Sequence, residues 1–223
     1  MTTLVDFRHH WRVVPGACIR AHVGRSGHKG FVDFTAQVAV VTGGASGVGR
    51  SLCFALGKRG AKVVVGDVDK NAMAQIAADL AEANIEAIVE HCDVTSIESL
   101  TAVADKTEQH FGSLDLVFAN AGIGAGETGA MWDYSEKAWQ WCFNGNMWGV
   151  INSIKVFMPR LVAANKEAHF VVTGSGNGAM VILPDAPIYT ASKAAVHAIT
   201  ENLHYQVQAG QLPVKVSALF PGP

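Results

Sequence analysis

The sequence predicts an α/β fold in which a doubly wound parallel β-sheet is covered by helices on both faces. Short apolar runs without polar alternation, such as Val38–Val41, are typical of strands that are buried on both sides. These runs alternate with longer segments of helical periodicity, and such alternation predicts parallel strands joined by right-handed crossovers. A glycine-rich turn directly follows the first strand, so we take the segment 38–49 as the centre of the fold.

The first half of the chain alternates strand and helix three times. The first strand, 38–42, leads through the glycine turn into a helix that runs to about residue 59, where Gly60 is a stop signal. The second strand is the valine-rich run 62–67, and an alanine-rich helix covers 71–83. The third strand is 86–91, and Ser96 is a candidate N-cap for a helix over 96–111.

The second half continues the same alternation. The fourth strand, 114–119, runs into Asn120-Ala121-Gly122 and a glycine-rich loop, and a long helical stretch then extends to about residue 164. We interpret this stretch as two helices that meet near Asn146. A fifth strand over 169–173, a helix over 189–208 and a sixth strand over 214–219 complete the pattern, which ends at Pro221-Gly222-Pro223.

Residues 1–30 differ from the rest and predict an irregular N-terminal extension that precedes a single domain over 31–223. Five basic residues face the single acid Asp6, no helical or alternating period holds, and proline and glycine interrupt the segment repeatedly. A targeting peptide and an upstream start codon both remain open explanations.

Composition narrows the classes of function. The apolar fraction of 49% and the charged fraction of 16% predict a packed core, and the net charge of −2 gives no electrostatic basis for binding nucleic acid or an anionic membrane. No apolar run is long enough to span a bilayer. The four cysteines and nine histidines show no metal-ligand spacing, so we expect no metal site, and reduced thiols in a cytoplasmic protein.

The glycine turn predicts a phosphate site. Gly43, Gly47 and Gly49 would let the backbone approach a pyrophosphate, and the free N–H groups at a helix N-terminus favour an anion. Asp67 ends the second strand, where an acid accepts hydrogen bonds from both adenosine ribose hydroxyls and repels a 2′-phosphate, which favours NAD over NADP. An ordinary strand-to-helix turn and a helix N-cap at Asp67 are the alternatives.

Tyr189 and Lys193 lie four residues apart on a predicted helix and therefore share a face. An ammonium group beside a phenol stabilises the phenolate, and such a tyrosine can exchange a proton with a carbinol or carbonyl oxygen. Ser175 follows a strand and could orient the same oxygen. The alternatives are a solvated helix face for the pair and a plain turn residue for Ser175.

These motifs together resemble the short-chain dehydrogenase/reductase family in its single-domain form. The matching residues cover about 36–223 in the family's order: Thr42-Gly43-xxx-Gly47-x-Gly49, Asp93-Val94, Asn120-Ala121-Gly122, Asn146, Ser175, Tyr189-xxx-Lys193 and Pro221-Gly222. The resemblance implies a Rossmann-like sheet with strand order 3-2-1-4-5-6. Family members continue past the Pro-Gly turn with a substrate-covering loop, a helix and a seventh strand, so the stop at Pro223 suggests a C-terminally truncated member.

The resemblance also implies roles. Tyr189 would be the acid/base during hydride transfer to or from a nicotinamide, Lys193 would bind the nicotinamide ribose and favour the phenolate, and Ser175 would polarise the substrate oxygen. Asn146 would hold a helix kink and a water that relays protons from Lys193. The implied cofactor-binding residues are Gly43, Ser46, Gly47, Val48, Gly49, Asp67, Asp93, Val94, Asn120, Ala121, Gly122, Tyr189, Lys193, Pro221 and Gly222.

The resulting expectation is a homo-oligomeric, NAD-preferring oxidoreductase that interconverts a secondary alcohol and a ketone, with no nucleic-acid or membrane partner. The alternative is a catalytically impaired dinucleotide-binding fragment or assembly subunit. The tryptophans that follow the glycine-rich loop could wall an apolar substrate pocket, with core packing as the alternative for at least half of them. These residues are Trp132, Trp139, Trp141 and Trp148.

Overall fold

Six parallel strands form one sheet in the order β3-β2-β1-β4-β5-β6, as predicted. The computed structural model describes residues 33–124, 126–127 and 129–221, so the predicted extension 1–30 and Gly222 lie outside the described residues. The strands are β1 (Val38–Thr42), β2 (Lys62–Asp67), β3 (Ala87–His91), β4 (Leu116–Ala119), β5 (Ala168–Thr173) and β6 (Val214–Leu219).

Helices connect the strands on both faces of this sheet. They are α1 (Gly47–Gly57), α2 (Lys70–Glu82), α3 (Ile97–Phe111), α4 (Glu136–Phe143), α5 (Gly149–Ala163), the short turn α6 (Gly176–Ala179) and α7 (Pro187–Ala209). A 3₁₀ turn, Met131–Asp133, precedes α4, and a π-helical turn, Asn144–Trp148, joins α4 to α5. The prediction of two helices meeting near Asn146 is therefore confirmed, whereas α6 and the 3₁₀ turn were not predicted.

The core lies on both sides of the sheet because successive strand residues point to opposite faces. In β1, Val38 and Val40 pack in the cluster formed with α3, α5 and α7, while Ala39 and Val41 pack against α1 and α2. All five residues of β1 are buried. This double burial explains why the strand reads as an unbroken apolar run.

Two predicted helix starts have different outcomes. The Ser96 hydroxyl accepts a hydrogen bond from Ser99 N at 3.1 Å, which confirms Ser96 as the N-cap of α3. The N-cap of α2 is Asp69, whose carboxylate accepts from the N–H groups of Asn71 and Ala72. The N-cap alternative for Asp67 is therefore wrong, because the helix begins three residues after that acid.

Since all strands are parallel, the segments that follow them emerge at one edge of the sheet. This carboxyl edge carries the glycine turn after β1, the Asn120 segment after β4 and the Ser175 segment after β5. Among the described residues no helix has the length and apolarity needed to cross a bilayer, and no group of potential metal ligands comes together.

Candidate functional site

The glycine turn between β1 and α1 leaves no room for a side chain at Gly43 or Gly49, but it faces open space at Gly47. Gly43 and Gly47 have φ values of +61° and +51°, in the left-handed region that favours glycine. A Cβ atom at Gly49 would lie 2.0 Å from the Gly43 carbonyl oxygen, whereas a Cβ at Gly47 would meet nothing within 4 Å. Ser46 precedes α1 without a side-chain capping hydrogen bond. The turn thus offers an accessible helix N-terminus that suits a phosphate group.

A side-chain brace joins this turn to the segment after β4. The buried Thr42 hydroxyl accepts hydrogen bonds from the N–H groups of Asn120 and Ala121 at 3.0 and 3.1 Å. The Asn120 amide donates to the carbonyl oxygens of Thr42 and Gly43 and accepts from the Thr173 hydroxyl. Asn120 therefore links the ends of β1, β4 and β5 at this edge of the sheet.

Two of the predicted cofactor-binding residues are acids: Asp67 ends β2, and Asp93 follows the neighbouring strand β3. Asp67 accepts hydrogen bonds from Ala45 N at 3.0 Å and from Val68 N at 2.8 Å, so its carboxylate lies against the glycine turn. Asp93 accepts from the backbone and hydroxyl of Thr95. Val94 is buried and packs against Gly149, where a Cβ would lie 2.7 Å from Val94 Cγ2.

Asn146 lies inside the π-helical turn and is fully buried. Its amide oxygen accepts from Ile123 N at 2.7 Å, and its amide nitrogen donates to Ile123 O at 3.0 Å and to the Ser192 hydroxyl at 2.9 Å. The helix kink that the resemblance implies at Asn146 is this π-helical turn. Such turns inside helices frequently occur at functional sites. Asn146 holds the backbone that follows β4 against α4, α5 and α7.

Lys193 is a buried cation at the same edge. It is 4% exposed, and its ammonium donates to the Thr173 carbonyl at 3.0 Å. Burial lowers the pKa of Lys193 from 10.5 to about 8, since desolvation disfavours the charged form. The Lys193 ammonium lies 5.8 Å from the centre of the Tyr189 ring. A Cβ at Gly122 would be 3.2 Å from both this ammonium and the Asn146 amide oxygen, so Gly122 lets them face the loop.

Ser175 and Tyr189 lie on segments that are tied to each other. Ser175 caps the α6 turn by accepting from Asn177 N at 3.1 Å, and Asn177 in turn accepts from the Thr190 hydroxyl at 2.9 Å. Gly178, with φ of +90°, packs so closely that a Cβ would lie 2.5 Å from Thr190 O. The segment that carries Ser175 therefore rests on the first turn of α7, beside the half-buried Tyr189.

Sequence reasoning gave no role to the residues that hold these groups in place. Thr42, Asn177 and Ser192 each bridge segments that are distant in the chain. The sequence marks Ser192 only by its position next to Lys193. It marks Asn177 only by its place in the glycine-rich stretch after Ser175. Pro221 is half-buried after β6, and the role of its neighbour Gly222 lies outside the described residues.

Of the four tryptophans after the glycine-rich loop, three are exposed and one packs against a small core cluster. Trp132 is 86% exposed, and Trp139 packs on Phe143 with ring centres 6.0 Å apart. A different apolar segment, Met180–Leu183, follows the Ser175 turn, and its four side chains are all exposed. An apolar surface therefore lies directly downstream of Ser175.

A fold and a site of this kind define a dinucleotide-binding oxidoreductase class, and comparison with known proteins identifies the family. The family model described as short chain dehydrogenase matches residues 37–223. The chain belongs to the short-chain dehydrogenase/reductase family.

Individual relatives agree with this assignment. A relative from Mycobacterium tuberculosis that is named as an oxidoreductase, SadH, is 34% identical over 191 residues, which is 85% of this chain and 67% of the relative. 1-Deoxy-11-beta-hydroxypentalenate dehydrogenase from Streptomyces exfoliatus is 32% identical, with 83% and 66% covered. The crystal structure of a family member from Burkholderia phymatum in complex with NAD has a TM-score of 0.81 at 37% identity, covering 86% of this chain and 67% of that one. The chain thus spans about two thirds of the length of these relatives.

Proposed function

We propose that this chain is an NAD-dependent oxidoreductase that interconverts a secondary alcohol and a ketone. The observation that carries the proposal is the buried Lys193 ammonium, which lies 5.8 Å from the Tyr189 ring at the sheet edge that holds the open glycine turn. The phosphates would lie on the turn formed by Gly43, Ser46, Gly47, Val48 and Gly49. When bound, the nicotinamide dinucleotide accepts or donates the hydride.

The chain's own residues would manage the proton and the substrate oxygen. The Tyr189 phenol would transfer the proton to or from that oxygen, and the Ser175 hydroxyl would hold the oxygen in place. Lys193 remains mostly an ammonium below about pH 8, so it would donate a hydrogen bond to the nicotinamide ribose. Asn146, whose side-chain amide bonds to the backbone N–H and carbonyl of Ile123, would keep the backbone beside this site in position.

The direct test follows NAD reduction by the purified chain at the nicotinamide absorbance band against a graded panel of secondary alcohols. The exposed Met180–Leu183 segment beside Ser175 favours apolar members of this panel. We expect turnover that rises with the apolar area of the alcohol, and Ile182→Ser to reduce kcat/KM for the larger members only. An NAD complex that oxidises none of these alcohols would instead support the impaired dinucleotide-binding subunit.

The proposed preference for NAD rests on Asp67, which ends β2 against the glycine turn. A carboxylate there accepts from ribose hydroxyls and repels a 2′-phosphate. Asp67→Ala should narrow the affinity ratio of NAD over NADP, whereas Asp69→Ala should leave the ratio unchanged because Asp69 only caps α2. Titration of both cofactors decides this, and an unaltered ratio in Asp67→Ala would refute the assignment.

We further propose a homo-oligomer that forms through the faces of α5 and α7. A groove of about 500 Å³ lies between these helices, lined by half-buried Ile151, Ile154, Ile199 and Leu203 with polar side chains at its rim. Such a surface suits a second copy of the same helix pair. Ile199→Glu should lower the mass measured by light scattering and Leu212→Glu should not; an unchanged mass in Ile199→Glu would exclude this face.

A cytoplasmic location fits the same proposal. The described cysteines Cys53, Cys92 and Cys142 are all free and buried, as expected for a protein that folds where thiols stay reduced.

A further inference from the structure

Ser192 forms hydrogen bonds to two parts of the chain at once. Its side chain is fully buried, and its hydroxyl donates to the Tyr189 carbonyl at 2.8 Å while accepting from the Asn146 amide at 2.9 Å. The first bond reaches back along α7, and the second crosses to the π-helical turn. One hydroxyl therefore joins the helix that carries Tyr189 to the turn that carries Asn146.

Two other buried hydroxyls, one of them on the same helix, make a simpler contact. Thr200, on the same helix, donates to Val196 O at 2.7 Å, and Ser153 in α5 donates to Gly149 O at 2.8 Å. Both bonds stay within one helix and return to the carbonyl four residues earlier. The bond from Asn146 to Ser192 spans two elements, so it can fix their relative position.

The connection extends to the loop after β4. The Asn146 amide nitrogen that donates to Ser192 also donates to Ile123 O, and its oxygen accepts from Ile123 N. The nearby Cys142 sulfur is 3.3 Å from the Asn146 amide nitrogen and 3.7 Å from the Ser192 hydroxyl. Sulfur is a weak acceptor, so it cannot replace the serine oxygen.

We propose that Ser192 is a positioning residue for the proposed dehydrogenase reaction: its hydroxyl bridges Asn146 and the Tyr189 backbone, and thereby fixes the phenol of Tyr189 relative to the loop that lines the cleft. This inference rests on the proposed function. Because a displacement of about 1 Å between reacting groups can lower a rate by roughly 100-fold, a bridge outside the reacting atoms can affect turnover strongly.

The test compares Ser192→Ala with Thr200→Val, which also removes a buried hydroxyl from α7 but only a bond within the helix. We expect Ser192→Ala to lower kcat by about 10- to 100-fold, with the KM for NAD changed less than about twofold. Thr200→Val should keep kcat within about twofold. Equal kcat values in the two variants would overturn the proposal.

A double-mutant cycle tests whether Ser192 acts through Asn146. In an Asn146→Ala background the further change Ser192→Ala should have little effect on kcat, because the bridge is already absent. If the kcat loss of the double variant instead equals the product of the fold-losses of the two single variants, the proposal is contradicted. If Ser192→Ala does not fold, Cys142→Ala/Ser192→Thr, which keeps the hydroxyl and gives room to the added methyl group, should match the kcat of Cys142→Ala; a large loss would overturn the bridge.

The wild type and the variants of this cycle, together with Thr200→Val, separate failure of this inference from failure of the proposed function. Urea unfolding of the cycle requires no substrate, and coupling between Ser192 and Asn146 in these curves establishes the bridge by itself. A wild-type chain without turnover would refute the dehydrogenase assignment. A wild-type chain with turnover, whose Ser192→Ala variant is as fast as Thr200→Val, would refute only the positioning role.

Discussion

The glycine turn after β1 and the Tyr189 region of α7 lie at the same sheet edge but are built differently. The turn takes its shape from backbone geometry, with two glycines at positive φ and a third where a side chain would overlap the backbone. The Tyr189 region takes its shape from buried side chains that hydrogen-bond across segments, namely Asn146, Ser192 and Lys193. One region depends on the absence of side chains, and the other depends on particular side chains.

The largest expected effect tests the backbone-built region. Gly49→Ala places a Cβ 2.0 Å from the Gly43 carbonyl, and backbone cannot move aside cheaply, so we expect a loss of about 4 kcal/mol in the free energy of unfolding. Gly47→Ala, which meets open space and is strained only by its φ of +51°, should lose about 1 kcal/mol. Urea denaturation measures both, and similar losses would contradict the role given to close packing at Gly49.

The next effect concerns the buried Lys193 and has a defined pH window. Burial lowers its pKa from 10.5 to about 8, so between these values the unfolded chain holds a proton that the folded chain has released. The Lys193 contribution to the free energy of unfolding should therefore rise by about 3 kcal/mol as pH increases through this window. Lys193→Met should lack the rise, and the difference between the two proteins at pH 7.5 and at pH 10.5 measures it. A constant difference would mean that Lys193 is not desolvated.

A smaller effect is expected at the buried Asn146 of the Tyr189 region, and a second buried asparagine, Asn152, serves as its comparison. Asn146→Ala leaves both backbone groups of Ile123 and the Ser192 hydroxyl without this partner, and should lower the free energy of unfolding by about 2–3 kcal/mol. Asn152→Ala removes a single bond, to Val94 O, and should cost about 1 kcal/mol. Thermal or urea denaturation of the pair tests this ranking, and the reverse ranking would overturn it.

The smallest effect should come from a side-chain contact near the glycine turn. Arg50 pairs with Asp79 at 2.6 Å, but the Arg50 side chain is 44% exposed, and exposed ion pairs contribute little. Arg50→Gln should therefore leave the urea midpoint unchanged within error. A clear shift would show that side chains also hold the first region, and would weaken the contrast.

The same contrast explains what could be predicted from the sequence. Glycine positions and buried valine runs are local signals, so β1, β2 and β6 have the predicted bounds and the strand order is confirmed. The predicted start of β4 at residue 114 is two residues early, because buried Leu114 has the same apolar character as a strand residue. The predicted start of α7 at residue 189 was two residues late, although Pro187 at the first helical turn was an available signal.

The site was predictable to the extent that motifs mark it. Asn146, Ser175, Tyr189 and Lys193 stand in a recognisable order, and the structure places them on elements that meet at the carboxyl edge. Their supporting contacts were not predictable. The bond from Asn146 to Ser192 joins residues far apart in the chain, and nothing in a serine's immediate neighbours shows which distant group it will meet.

The proposed reaction requires the Tyr189 phenol to move the proton at the substrate oxygen. Tyr189→Phe removes only that hydroxyl, and Tyr205→Phe on the exposed side of the same helix is its matched control. The decisive measurement is turnover of a secondary alcohol together with the dissociation constant for NAD in both variants. We expect Tyr189→Phe to abolish turnover while NAD affinity stays within about threefold, and Tyr205→Phe to behave as the wild type. Wild-type turnover by Tyr189→Phe would contradict it.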